Sequence, residues 1–159
     1  MIGRMTRGAI AGAAATWLMD QVTTAMMSGQ RPEVTAREEA AQPNGKDAIS
    51  NLLDRLEKPL GTRLDEDQRA VALQAIHYGL GVVPGALYAV TRHRLPLVGA
   101  AGGLLFGAAL WALNDEYLNS ALGLAAPFGA YPVETHVRGL VGHLALGGAT
   151  DSILDLLGG

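Results

Sequence analysis

LPLVGAAGGLLFGAALWAL, Leu95 to Leu113, runs without one charged side chain and ends abruptly in Asn114-Asp115-Glu116. At 1.5 Å per residue such a helix reaches about 28 Å, close to the roughly 30 Å hydrocarbon core of a bilayer. The stretch therefore reads as a membrane-crossing helix, with its polar end bordering a polar site. Composition agrees: 49% of the 159 residues are hydrophobic but only 5% aromatic, and 21 are glycine. A soluble core of this size would lean on larger side chains to bury enough area. Small residues instead let helix backbones approach closely in lipid.

Length predicts a single domain over 1–159. Between Gln30 and Arg69 lie nine of the fifteen acids and seven of the twelve bases. The remainder yields four segments near spanning length: Gly8–Met27, Ala70–Thr91, Leu95–Leu113 and about Val137–Leu157. The expectation is an all-α, polytopic membrane four-helix bundle with a polar insert over 28–69. A soluble helical bundle competes with it, because Asp20, His77, His143, Asp151 and Asp155 interrupt the apolar runs. An acid near a helix centre costs about 2.5–3.5 kcal/mol on insertion. Gly8–Met27 also has the basic start of a signal peptide, at Arg4 and Arg7. Its Asp20 and the lack of a small-x-small site before Ser28 argue against cleavage.

Within the insert, Pro43-Asn44-Gly45 marks a break. After it, Ile49, Leu52, Leu53, Leu56 and Leu60 share one helical face, which predicts an amphipathic helix on the membrane surface or capping the bundle. Asp65 and Gln68 have capping-box spacing and place the start of the second long helix there. If four helices alternate, Arg4 and Arg7 share a side with Arg92-His93-Arg94. Positive charge assigns that side, and both termini, to the cytoplasm. The insert and the 114–135 connection then share the opposite side.

Several function classes are excluded or unsupported. A net charge of −3, without a basic face interleaved with aromatics, argues against nucleic acid. The absence of cysteine removes disulfides, thiolate metal sites and thiol nucleophiles. No Gly-Lys-Ser/Thr, Gly-x-Ser-x-Gly or His-Glu-x-x-His occurs, so no enzyme class is indicated. Lipid is the principal expected partner, with a second copy or other membrane subunits as candidates.

Small residues recur every four positions, at Gly8 and Gly12, at Gly81 and Gly85, at Gly99, Gly103 and Gly107, and at Gly147 beyond His143. These are small-xxx-small packing faces, and they carry Asp20, His77, His143 and Asp151 toward other helices. Gly8 to Trp17 and Asp20 resembles Gly103 to Trp111 and Asn114. Each segment is followed, after an insertion, by a span with a histidine, His77 or His143. Two helical hairpins related by duplication, parallel about an axis along the membrane normal, would give this pattern. Trp17, Trp111, Tyr117, Phe128 and Tyr131 read as interface anchors or packing.

Helical rise places Asp20, His77 and His143 at one level, each about 10 Å below the same surface, with Asn114, Asp115 and Glu116 just outside that level. These six form the candidate site, and His136 with Asp151 extends a polar stripe inward along the last span. Three chemistries suit them. A proton or small-ligand pathway would use the imidazoles with Asp20 or Asp115. A divalent metal could take His77, His143 and a carboxylate. A b-type haem could take His77 and His143 as axial ligands. The alternative is a purely structural lock, in which His–Asp bonds fix helix register.

The segments Trp17-Leu-Met-Asp20, His77-Tyr-Gly-Leu-Gly-Val-Val-Pro84-Gly85-Ala-Leu-Tyr88 and Asn114-Asp-Glu resemble the YagU-like family of small bacterial inner-membrane proteins. Tyr131-Pro-Val-Glu-Thr-His136-Val-Arg138-Gly139-Leu-Val-Gly-His143 completes the resemblance, which leaves out the insert. It implies a bacterial inner membrane and a link to acid stress, and it supplies no catalytic residues.

Overall fold

The computed structural model describes residues 2–61 and 63–158, and the regular elements among them are all helical. The side chain of Leu60, assigned above to the insert's apolar face, lies outside the described residues. The helices are α1 (Ile2–Ser28), α2 (Pro32–Ala41), α3 (Ala48–Leu60), α4 (Glu66–Thr91), α5 (Leu104–Leu110), α6 (Asn119–Ala121) and α7 (Val133–Leu156). A π-helical segment, Trp111–Leu118, joins α5 to α6.

Local chemistry sets the ends of the insert. Asp47 caps α3 by accepting from the Ser50 amide at 2.9 Å, and Gly61 ends it with φ 61°. Asp65 and Gln68 close the expected capping box of α4. Arg69 and Lys46 both pair with Asp54, clasping α3 to the start of α4. The Lys46 bond, with Arg69, holds the Asp54 carboxyl below its ordinary value of 3.8. A depressed folded value stabilises above that ordinary value and is lost as pH falls through the lowered one. The clasp is thus complete at neutral pH.

α1 packs along both α4 and α7, and α5 packs on α7. α4 and α5 hardly touch, except where the Tyr88 and Phe106 rings meet at 4.5 Å. At one end Arg7 donates to the Gly158 carbonyl, and Arg92 bridges Asp151 at 2.6 Å and Asp155 at 2.7 Å. At the other, Arg138 pairs with Glu38 and Gln30, and Arg31 with Glu134. Asn51 and Arg55 of α3 bond the carbonyls of Leu124 and Leu122 there. The insert and the 114–135 connection thus share one end of the bundle.

The stretch that opened the argument is only partly helical. Residues 92–103 form successive turns, and Ala101, Gly102 and Gly103 take positive φ of 52°, 60° and 81°. Three left-handed residues in a row cannot continue a right-handed helix. The third long element therefore begins at Leu104, not Leu95, and Asn114, Asp115 and Glu116 lie inside its π-helical part rather than beyond its end. Gly99 is accordingly not a helix-packing residue: its missing Cβ leaves room, 2.9 Å away, for the Arg92 carbonyl oxygen of the turn. By length and composition α4 is the one described helix apolar enough to cross a membrane. α1 is longer and α7 nearly as long, but their polar residues and glycines dilute them.

The other glycines behave as ladders. In α1 and α4, a Cβ on Gly8 would strike the Gly85 carbonyl oxygen and one on Gly12 that of Gly81. In α5 and α7, Gly103 meets the Gly147 carbonyl and Gly107 that of His143. Thr16 and Thr150 are fully enclosed because each hydroxyl donates to a carbonyl four residues back, Gly12 at 2.8 Å and Leu146 at 2.7 Å. Bulk is turned outward instead: Ile10, Trp17, Val83, Leu87, Leu113 and Val133 are each more than half exposed.

Candidate functional site

Each ladder of glycines ends in a carboxylate and an imidazole. In the first hairpin, α1 and α4, His77 Nε2 lies 2.8 Å from Asp20 Oδ1. In the second, the α5–α6 run and α7, His143 Nδ1 lies 3.5 Å from Asp115 Oδ2 and 3.0 Å from the Gly139 carbonyl. Both neighbours of that Nδ1 are acceptors, so Nδ1 is the donor there. Asn114 donates to Asp115 Oδ1 at 2.8 Å.

The two hairpins share spacings. Gly8, Gly12 and Asp20 have the spacing of Gly103, Gly107 and Asp115; His77 and Gly81 have that of His143 and Gly147. The contacts of the second helices are offset by one turn, since Gly12 packs on the Gly81 carbonyl but Gly107 on that of His143, while the first helices align at Gly8 with Gly103 and at Gly12 with Gly107. This shifts the sequence alignment by one residue, because Asp20 answers to Asp115 rather than Asn114. Matching the tryptophans misled it, since Trp17 is 57% exposed whereas Trp111 packs inward against Gly139.

Between the hairpins, where α4 and α5 hardly touch, lies a chamber of about 640 Å³. Thr16, His77, Asn114, Asp115 and His143 supply much of its polar lining. Leu80 and Pro84 of α4, Leu110 of α5 and Leu146 of α7 supply apolar wall. Ile49 and Leu52 of α3 cover it from the insert, together with Leu122 and Leu124. A cavity of several hundred cubic ångströms, mostly apolar with a few convergent polar groups, is the usual form of a small-molecule site. That Asp115 stands in a π-helical segment fits the frequent use of such segments at functional sites.

Of the six candidate residues, the structure brings His77, Asn114, Asp115 and His143 to one chamber. Asp20 stands behind His77 and orients it. Glu116 is drawn away: it bonds His136 Nδ1 at 2.7 Å, while His136 Nε2 faces the Phe128 carbonyl at 3.0 Å. The ring also stacks on Phe128 at 3.9 Å. His136 therefore ties the 122–132 connection to α7, and the polar stripe drawn inward through it is broken into separate pairs. Its other member, Asp151, is held at the far end by Arg92 and the Tyr88 hydroxyl, the latter at 2.7 Å.

Neither metal chemistry nor haem chemistry fits these positions well. Among the described residues no three His, Asp or Glu side chains converge to hold a metal ion. Haem ligation through both Nε2 atoms would require His77 to release Asp20. One residue that sequence reasoning missed is Asn51, buried in the covering helix. Its amide bridges the carbonyls of Pro43, Lys46 and Leu124 at 3.0–3.1 Å, fastening α3 over the chamber. Its place beside Leu52 and Leu53, on the inward face, was the signal available.

Fold and site together define a class: an all-helical bundle enclosing a covered, acid-bearing chamber. No protein-family model, curated protein or solved structure matches this chain.

Proposed function

We propose that the protein is an integral membrane protein that holds a small molecule in this chamber, with the carboxylate–imidazole pairs as its polar wall. The observation that carries the reading is the inverted distribution of bulk. Glycine, alanine and threonine fill the helix contacts, while tryptophan, leucine, isoleucine and valine cover the outside. In water such a perimeter would be an apolar surface of unusual extent; in lipid it is the expected one. Only 11% of the most apolar stretch of α4 is buried inside the protein, which sets it apart from the core helix of a soluble bundle.

On this reading α1, α4, the α5–α6 run and α7 cross the membrane, and α3 lies over the chamber at one surface. Arg4, Arg7, Arg92 and Arg94 mark the cytoplasmic end, with both termini. The matched hairpins are a duplicated unit, parallel about an axis along the membrane normal. The YagU-like resemblance, and with it the bacterial inner membrane, belongs to this proposal: its motifs include Asp20, His77, Asn114 and His143, which line or brace the chamber.

The cysteine-free chain offers a direct test. Leu80 lines the chamber, whereas Val83, three residues on, is 59% exposed on the perimeter. In isolated membranes a small water-soluble maleimide is expected to label Leu80→Cys and to spare Val83→Cys until detergent or denaturant exposes it. Equal labelling of both would contradict lipid cover of that face. An unreactive Leu80→Cys would contradict a chamber reached by small molecules.

A further inference from the structure

We infer that the chamber takes a lipophilic organic cation, admitted from the bilayer between α4 and α5 and held against Asp115. This rests on the chamber reading above and adds the chemistry of its occupant.

The first argument is charge. The ionisable groups of the lining are Asp47 and Asp115 with His77 and His143, and no lysine or arginine lines the wall. The nearby bases are engaged elsewhere: Arg55 donates to the Leu122 carbonyl, and Lys46 pairs with Asp54. A lining with carboxylates and no fixed cation disfavours a phosphate or carboxylate and suits a cation.

The second argument is the difference between the two carboxylate–imidazole pairs. Asp20 has a short bond to its imidazole, at 2.8 Å. Asp115 does not, because His143 Nδ1 turns to the Gly139 carbonyl at 3.0 Å and stays 3.5 Å from the carboxylate. Its close hydrogen bond comes from the neutral amide of Asn114. A carboxylate in a largely apolar cavity without a close cation is costly, and an incoming cation relieves that cost. The Asp115 side chain is a third exposed, at 34%, so it remains reachable.

The third argument concerns the route and the ligand's body. α4 and α5 meet through Tyr88 and Phe106 near the arginine end and otherwise hardly touch. Between the two helices the chamber wall is Leu80 and Pro84 of α4 and Leu110 of α5. A ligand entering there leaves lipid for leucine and meets Asp115 only at the end of its path. An apolar body with one delocalised or shielded positive charge fits this sequence of surfaces.

The test is equilibrium dialysis of the detergent-purified full chain against tetraphenylphosphonium, its near-isosteric anion tetraphenylborate and the neutral N-phenylnaphthylamine. The cation is expected to bind, and the anion about tenfold more weakly or not at all. Asp115→Asn is expected to weaken cation binding about tenfold, Asp115→Glu to retain it, and Asp155→Asn, exposed at the opposite end of the bundle, to leave it unchanged. Equal binding of cation and anion, or wild-type affinity in Asp115→Asn, would overturn the assignment. Neutral probe bound with both ions excluded would overturn the cation while leaving the chamber reading intact. If no probe binds, both fail.

Discussion

Gly107→Ala is expected to destabilise the bundle by about 3 kcal/mol, an unusual cost for one methyl group. The added Cβ would run into the His143 carbonyl oxygen and stand 2.8 Å from its carbon, and neither atom belongs to a side chain that can rotate away. Relief requires α5 to move off α7, which also parts Asp115 from His143 and opens the chamber wall. The same change at Gly79 meets nothing within 4 Å, and there alanine's better helix propensity should hold or raise stability, by up to about 1 kcal/mol. Unfolding of both variants by denaturing detergent, followed by circular dichroism, compares identical chemical changes in two environments. Equal midpoints would mean that the glycine ladder of the second hairpin does not set its helix spacing.

Arg92→Met should cost about 3–5 kcal/mol, the range for stranding one partner of a buried ion pair. The Arg92 side chain is 4% exposed and holds Asp151, itself 17% exposed, together with the outer Asp155. It also donates to the Asp151 backbone carbonyl at 3.3 Å, so its loss unfastens the end of α7 from the end of α4. Asp155→Ala should be mild, because that carboxylate is 66% exposed and such pairs contribute little. Arg92→Met combined with Asp151→Leu should recover much of the loss, since the charge left without its partner is then only the exposed Asp155. Thermal unfolding of the single, control and double variants measures the coupling. An additive double variant would remove the buried pair from the account.

Much of this arrangement is legible in the sequence, for identifiable reasons. The Asp65–Gln68 box sits at the start of α4 because capping is local chemistry. Helical rise alone puts Asp20 and His77 at one level, as their 2.8 Å contact requires, and sets Asp115 just outside the level of His143. Four-residue glycine spacing marks the contact faces because only those faces need the missing side chains. The break at 101–103 is not legible in hydropathy. Alanine and glycine are as apolar in a left-handed turn as in a helix, and the turn is shaped by distant groups, Gly147, Asp151 and the Arg92 carbonyl. Glu116 and His136 were misplaced for a related reason: their pairing depends on how the 122–132 connection folds back to stack Phe128 on the imidazole. Asn51 reads as one more polar residue of an amphipathic helix until the carbonyls it bridges are in view.

The central claim is that the outward bulk of this bundle meets lipid and its acid-bearing chamber lies within it. Fractionation of cells producing the wild-type chain tests this most directly, with the membranes washed in alkaline carbonate before detergent is added. The account predicts that the protein stays with the membranes through the wash and is released only by detergent. Recovery in the detergent-free supernatant as a monodisperse species would contradict it, and would make the perimeter of Ile10, Val83, Leu87 and Leu113 a surface between protein chains instead.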